Sequence, residues 1–284
     1  MSDSLPSDDV PNLPISEVSK LLTDEDCPNI SVCIPCYKRR KFLPLIMNNL
    51  YHMDYPKGKI EINILQDGPE DLMVGGELEY FKKQLSPAIV NYKYENSIRR
   101  SIGDKRNRLV KGSRYKIIAM MDSDDIYLPS YLRYSVSALR QFKVGITSSA
   151  SMLFMYPEHD YKLTGIRCGH KHQGHEACCV FTKKHFNSMG GFASRGCHAN
   201  QGEGQKMIAF NEKNMVNLDI CRLMICIGHT AGISGDEANT IDKEQFLKAE
   251  MPGELADLPH VRAVKKIFMN DPIERMYGGF PKWF

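Results

Sequence analysis

Three short apolar runs, each followed by residues at helical spacing, constrain the fold of this chain most strongly. The runs are "NISVCIPCY", which Pro35 ends, "KIEINILQDG" and "YKIIAMMD". Helical spacing of apolar residues follows over 42–50, around 102–111 and over 132–139. Strands that alternate with helices predict a parallel sheet with helices on both faces.

Polar residues stand where each of these predicted strands ends. Tyr37 closes the first, Asp67 the second, and Asp122, Asp124 and Asp125 follow the third. Since ligands of such sheets bind beyond the carboxyl ends of the strands, we expect these residues to share one crevice. Three carboxylates in four positions repel one another, so the pattern also predicts a positive group among them.

The composition excludes several classes of protein. The 284 residues are 42% hydrophobic and 25% charged, as in a soluble globular protein that can bury a sizeable core. No apolar run is long enough to span a membrane, and the acidic N-terminus does not resemble a signal peptide. A net charge of +3 does not indicate a nucleic-acid binder, and the oligomeric state is not encoded. Nine cysteines, an odd number, favour reduced thiols and a cytoplasmic location.

The chain divides into three predicted parts. Residues 1–29 are acidic and rich in Pro and Ser, which predicts a mobile or loosely packed leader. Residues 30–235 are predicted to form the main domain, with one half over 30–130 and a second half, with longer Gly- and His-rich loops, over 145–235. Its second half predicts a mixed sheet, and residues 236–284 predict a C-terminal helical extension.

The motifs "IPCY", "QDG" and "MMDSDDIYLP", in this order, resemble the family 2-like glycosyltransferases of the GT-A fold. The resemblance covers roughly residues 30–230 and implies a nucleotide-binding half over 30–130 and an acceptor-binding half over 145–235. It implies an α/β fold: a single Rossmann-like domain with a mixed, mainly parallel sheet flanked by helices. It also implies a metal-dependent nucleotide-sugar transferase with an Asp-x-Asp motif.

The resemblance implies a Mn²⁺ or Mg²⁺ ion between the aspartates and the diphosphate of the donor. Asp124 would bind the ion directly, Asp122 would reach the ion or the ribose, and His229, after a late apolar strand, would be a further ligand. Asp125 would contact the donor sugar or, alternatively, cap the helix after the turn at Pro129.

The same resemblance assigns further donor contacts. Asp67 would accept hydrogen bonds from the base, and Arg106 would face the diphosphate, with Lys105 in the alanine position of an Ala-Arg-Asn-like segment. The implied nucleotide-sugar site comprises Pro35, Cys36, Tyr37, Arg39, Asp67, Arg106, Asp122, Ser123, Asp125 and His175.

On the acceptor side, "HEACCVFTKKHFNSMGGF" resembles the strand and short helix that end at Gly-Gly-Phe in the family. A Glu-Asp pair normally follows and removes the proton of the acceptor hydroxyl. Glu203 stands in the first acidic position and is the candidate base, whereas Gly204 and Gln205 stand where further acids are expected.

The implied function is transfer of a hexose or pentose from a UDP-sugar to a hydroxyl of a glycan or glycoconjugate, with inversion by single displacement. Alternatives are a retaining transferase of this fold, a nucleotidyltransferase, and a non-catalytic zinc- or carbohydrate-binding module. The basic loop after the first strand lacks the glycines of a nucleotidyltransferase.

The alternative of a zinc-binding module rests on a dense group of residue types that can ligate zinc: Cys168, His170, His172, His175, Glu176, Cys178 and Cys179. Their spacing fits no common zinc pattern. In the transferase interpretation, His175 or Glu176 would instead hold a sugar hydroxyl.

Overall fold

The computed structural model describes residues 14–96, 99–156, 162–167, 174, 176–195, 202–208 and 214–228. The strands are β1 Ile30–Tyr37, β2 Ile60–Asp67, β3 Ile89–Glu95, β4 Ile117–Met120, β5 Ile126–Tyr127, β6 Ile146–Ser148, β7 Ser151–Tyr156, β8 Lys162–Arg167, β9 Val180–Thr182, β10 Met215–Asn217 and β11 Met224–Ile227. The helices are α1 Leu43–His52, α2 Glu77–Leu85, α3 Ile102–Gly112, α4 Tyr131–Phe142, α5 Lys183–Met189 and α6 Gln205–Ile208.

A seven-stranded sheet with the order β10-β6-β9-β4-β1-β2-β3 forms the centre of the fold. Its β1, β2, β3 and β4 pair in parallel, whereas β9 runs antiparallel to both β4 and β6. Both faces are buried, since Val32 and Ile34 pack into one apolar cluster and Cys33 between them into the other. The mixed, mainly parallel sheet that the sequence predicts is confirmed.

A second, four-stranded sheet with the order β5-β11-β7-β8 lies beside the first. Its β5 comes directly after the clustered aspartates and pairs antiparallel with β11. The apolar stretch over 215–227 therefore serves both sheets, with β10 in one and β11 in the other.

The prediction that Pro35 ends the first strand is wrong, because β1 continues to Tyr37. Its pairing with β4 ends at Cys33, whose carbonyl accepts a hydrogen bond from the Met121 N–H. Residues 33 and 35 direct their backbone groups toward the same neighbour, β4. The N–H that Pro35 lacks would therefore lie on the side where the pairing with β4 has already ended.

Residues 14–29, the described part of the predicted leader, are held on α4. The Leu22 N–H donates to Ser137 Oγ at 3.0 Å, and the Arg133 guanidinium donates to the Leu22 carbonyl and to the Asp24 carboxylate. Cys27 is buried in the core. Of the acidic side chains in this part, Asp24 pairs with a basic residue of α4, and the leader stays a prediction. The boundaries at 29 and 235 stay predictions, and the predicted C-terminal helices lie outside the described residues.

Within the described part of the chain, no helix has both the length and the apolar character that crossing a membrane requires.

Candidate active site

The carboxyl ends of β1, β2 and β4 bring the predicted donor residues to one edge of the sheet. Tyr37 and Asp67 are the last residues of β1 and β2 and are partners in the parallel register. Asp122 follows β4, which ends at Met120, by two residues. The strand-end pattern in the sequence thus corresponds to neighbouring positions in the fold.

The loop with the three aspartates is fixed from two sides. Asn49 of α1 donates to the Asp125 carbonyl at 2.8 Å and accepts from the Tyr127 N–H at 3.1 Å. The Tyr127 hydroxyl accepts from the Asp122 N–H and donates to the Ala177 carbonyl. Because these partners are largely buried, the positions of Asp122 and Asp125 are set by the core.

Each of the three aspartates has its own partner. Asp122 accepts from Arg106 Nη2 at 2.8 and 3.0 Å, and Asp124 lies 2.7 Å from Arg39 Nη2. Asp125 accepts from the Ile227 N–H of β11 at 3.0 Å, a contact that neither predicted role for this residue includes. Burial, and then the charges of Asp124 and Asp122, raise the pKa of Asp125 well above its usual range.

Asp122 and Asp124 suit a hard divalent cation. Both are partly exposed and present oxygen donors, as Mg²⁺ and Mn²⁺ require. Among the described residues, no three His, Cys, Asp or Glu side chains form a complete metal site. The pair therefore fits an ion that takes its other ligands from phosphates or water, and His229 lies outside the described residues.

Asp67 is fully buried and bound by a lysine that sequence reasoning left without a role. Lys105 Nζ lies 2.7 Å from Asp67 Oδ1 and 2.9 Å from the Cys36 carbonyl, and the Arg100 N–H donates to Asp67 Oδ2 at 2.6 Å. Burial lowers the pKa of Lys105, while Asp67 opposes that shift. The carboxylate assigned to the base is thus already paired, and its contact with a nucleobase stays a prediction.

The Tyr37 ring lies among cations above a turn that needs glycine. The Arg99 guanidinium lies 4.7 Å and Lys105 Nζ 5.5 Å from the ring centroid. Gly68 has a φ of +93°, and a Cβ there would lie 2.7 Å from the ring. No sequence motif indicates a role for Arg99.

Three other predicted donor residues lie in the core. Pro35 is buried within β1, and the Cys36 thiol and Ser123 are almost inaccessible and bonded to each other. Burial raises the pKa of the Cys36 thiol to about 12, which excludes a reactive thiolate. Their side chains are buried, and the assignment of these three residues to the donor site stays a prediction. Arg39, 4% exposed, reaches the site through Asp124.

Arg106 joins the two halves of the domain. Its guanidinium is 2% exposed and holds Asp122 on one side and Glu203 on the other, with Nη1 2.5 Å from Glu203 Oε1. Although burial opposes its charge, Asp122 and Glu203 raise the pKa of Arg106. Its Nε has no hydrogen-bond partner among the described residues. The expected contact with a diphosphate stays a prediction, since Arg106 is already engaged with carboxylates.

The residue after Arg106 attaches the Gly-Gly-Phe turn to α3. Asn107 donates to the Phe192 carbonyl at 2.8 Å and accepts from the Phe192 N–H at 2.9 Å. The Arg106 guanidinium lies 5.6 Å from the centroid of the Phe192 ring. This contact places the segment that carries Glu203 against the nucleotide-side half.

Glu176, which the transferase interpretation offered with His175 as a partner of a sugar hydroxyl, lies near this centre. It is partly exposed and lies next to Gly204. Burial and then the charge of Glu203 raise its pKa, which Arg106 opposes.

Most of the predicted zinc cluster, and His175 with it, lies outside the described residues. Of its cysteines, Cys178 and Cys179 are buried free thiols, and burial raises the pKa of Cys178 to about 11. Buried thiols with a raised pKa are protonated and unreactive, and the zinc alternative stays a prediction.

Comparison with known proteins agrees with this architecture. The profile described as Glycosyl transferase family 2 matches residues 31–195, more than half of the chain. The chain belongs to glycosyl transferase family 2. No curated protein matches this sequence.

Two solved structures illustrate the shared GT-A fold. The mannosyltransferase PcManGT from Pyrobaculum calidifontis, in complex with GDP-Man and Mn²⁺, is 15% identical, with a TM-score of 0.55 over 94% of this chain and 76% of that one. S. aureus TarS 1–349, in complex with UDP-GlcNAc, is 13% identical, with a TM-score of 0.55 over 86% of this chain and 72% of that one. At these identities the likeness establishes the fold alone, and the GT-A prediction is confirmed.

Proposed function

We propose that this family 2 protein transfers a sugar from a nucleoside diphosphate-sugar, specifically a UDP-sugar, to a hydroxyl group of a glycan or glycoconjugate. One observation carries the proposal: the ends of β1, β2 and β4 gather Tyr37, Asp67 and Asp122 at one edge, where Arg106 links them to Glu203 of the other half. The structural relatives that bind GDP-Man and UDP-GlcNAc support a nucleotide-sugar donor.

The charge of the site supports an ion-dependent donor. Three carboxylates, those of Asp122, Asp124 and Glu203, pair with only two guanidinium groups, those of Arg39 and Arg106. The surplus of negative charge favours a divalent cation over a bare diphosphate. Asp122 and Asp124 would hold Mn²⁺ or Mg²⁺, which supplies charge neutralisation for the departing diphosphate.

The protein groups would bind and orient the two reactants. Tyr37 offers a ring face to the base, and the Asp67–Lys105 pair fixes the end of β2 beneath it. A carboxylate beside Arg106 would remove the proton of the acceptor hydroxyl as its oxygen displaces the diphosphate, which inverts the anomeric carbon. The free thiols of the described part support the predicted reducing, cytoplasmic compartment.

Calorimetry with UDP and GDP, with and without Mn²⁺, tests the donor site. We expect UDP to bind in the presence of Mn²⁺ and Asp124→Asn to weaken binding at least tenfold, since the amide keeps an acceptor for Arg39 but loses the charge. Asp54→Asn, on a side chain that is 57% exposed, is the matched control. If GDP binds more tightly than UDP, the donor carries guanine and not the proposed uracil. If neither nucleotide binds, the proposed function is wrong.

A further inference from the structure

The absence of a side chain at position 204 leaves room for a carboxylate from elsewhere in the chain. A Cβ built on Gly204 would lie 2.2 Å from Cγ and 3.3 Å from Cδ of Glu176. The first distance is far inside van der Waals contact, so Glu176 fills the space that a side chain at 204 needs. The position where the family pattern has an acid is therefore occupied by an acid, which another element supplies.

Glu176 is delivered by a well-anchored element. It begins a 3₁₀ turn, Glu176–Cys178, directly before β9, and the turn packs on β4. The Tyr127 hydroxyl donates to the Ala177 carbonyl at 2.8 Å, and Ala177 and Cys178 are buried. The same tyrosine binds the Asp122 N–H, so one side chain fixes the Glu176 turn relative to the aspartate loop.

Glu176 and Glu203 differ in how they are held. Glu203 is 5% exposed and lies 2.5 Å from Arg106, which also binds Asp122. Glu176 is partly exposed, and no ion pair joins it to a basic side chain of the described residues. The guanidinium therefore holds Glu203 in place, whereas no ion pair within the described residues holds Glu176 away from an acceptor hydroxyl.

We infer that Glu176 is the general base of this enzyme and that Glu203 is a positioning residue which holds Arg106. The inference rests on the proposed glycosyl transfer. In the step, a Glu176 oxygen takes the proton of the acceptor hydroxyl, the acceptor oxygen bonds to the anomeric carbon, and the bond from that carbon to the diphosphate oxygen breaks. The electron pair leaves with the nucleoside diphosphate. The raised pKa of Glu176, caused by burial and Glu203, suits a base that works near neutral pH.

The first test moves the carboxylate between the two positions. Turnover is measured as nucleoside diphosphate released from UDP-GlcNAc and from GDP-Man with Mn²⁺, in the presence of a panel of methyl glycosides as acceptors. Glu176→Gln and Glu176→Ala should lower kcat at least 100-fold and leave the Kd of UDP within threefold. The double variant Glu176→Ala, Gly204→Asp should have a kcat at least tenfold higher than that of Glu176→Ala. Aspartate also suits position 204, because Gly204 directly precedes α6.

The second test separates the roles of the two glutamates. In the wild type, kcat should rise with pH on the acid side of the profile, with an apparent pKa above the ordinary glutamate value of about 4.3. The residual activity of Glu176→Gln should lack this acid limb. Glu203→Gln should keep the limb and lose thermal stability through Arg106. Glu79→Gln, whose side chain is 77% exposed, is the control and should match the wild type in all assays.

Each outcome decides a separate question. Failure of the wild type to bind UDP or GDP would overturn the proposed function. Donor binding without turnover would overturn the base assignment and leave a binding module. Turnover by folded Glu176→Gln within threefold of the wild type, or loss of the acid limb in Glu203→Gln alone, would overturn the inference while the transferase function stands.

Discussion

The donor edge and the acceptor side of this site are built in different ways. At the donor edge, Tyr37 and Asp67 lie next to each other because β1 and β2 pair in parallel register. On the acceptor side, Glu176 and Glu203 come from a short turn and a loop, and neither belongs to a strand. Sheet register orders the first group, whereas contacts with α3 and between side chains order the second.

Helix α3 connects the two regions. Its Lys105 serves the donor edge through Asp67, while Arg106 and Asn107 serve the acceptor side through Glu203 and Phe192. Three consecutive residues of α3 therefore connect the donor edge, which strand pairing orders, to the acceptor side, which contacts with α3 order. Substitutions in α3 should affect the two regions unequally, and they offer the sharpest tests of this comparison.

The largest effect is expected for Arg106→Met. The change leaves Asp122 and Glu203 without their buried cation, which should lower the free energy of unfolding by about 5 kcal/mol, the upper end for a broken buried pair. Urea unfolding measures it. Arg108→Met, whose side chain is 46% exposed and pairs within the helix, should cost less than about 1 kcal/mol. Equal losses in both variants would mean that Arg106 does not hold the halves together.

The second largest effect is expected for Lys105→Met. It should lower the free energy of unfolding by about 3 kcal/mol, because it leaves one buried carboxylate, Asp67, without its cation. Lys105→Met with Asp67→Asn should recover most of the loss, since the unpaired charge is then absent. Thermal unfolding of the two single variants and the double variant measures their coupling. Additive losses would show that the pair does not stabilise the donor edge.

Asn107→Ala should lower the free energy of unfolding by about 1–3 kcal/mol, since the N–H and the carbonyl of Phe192 both lose their hydrogen-bond partner. The comparison predicts a local effect: amide hydrogen exchange should accelerate at 190–195 and stay unchanged in β1 and β2. Faster exchange in all three segments would contradict a separately ordered acceptor side. Asn91→Ala, on the edge strand β3, is a control for loss of an amide elsewhere.

The smallest effect concerns pH and His185 of α5, whose Nε2 lies 2.9 Å from the carbonyl oxygen of Met207 in α6. Burial lowers the pKa of His185 below its usual 6.5, so the unfolded chain binds more protons than the folded one between the two pKa values. Stability should therefore fall as the pH drops through 6.5 toward the folded pKa. In His185→Gln, the free energy of unfolding should change less between pH 7 and pH 5 than in the wild type. An unchanged slope would remove His185 as a source of pH dependence.

The donor edge was the more predictable region. Apolar runs that end in Tyr37, Asp67 and Asp122 predict neighbouring strand ends, because parallel strands carry their carboxyl ends to one edge. The roles of Lys105 and Arg99 were not predictable, since a cation in a helix or loop gives no sign of which carboxylate or ring it meets. Glu203 was chosen as the base from its place in a motif, whereas Glu176 was considered only as a partner of a sugar hydroxyl, because no motif marks it as a base.

The sequence by itself determined the GT-A fold, the family and the edge of the sheet where the acidic loop lies. Hydrophobic periodicity and strand-end residues encode the parallel sheet and this edge locally, through positions close in the chain, whereas the GT-A fold and the family follow from the resemblance of the three motifs. Only the tertiary structure decided that Arg106 faces Asp122 and Glu203, and that Glu176 fills the space beside Gly204. These contacts join residues far apart in the chain, and their geometry depends on how α3, the 3₁₀ turn and the two sheets pack together.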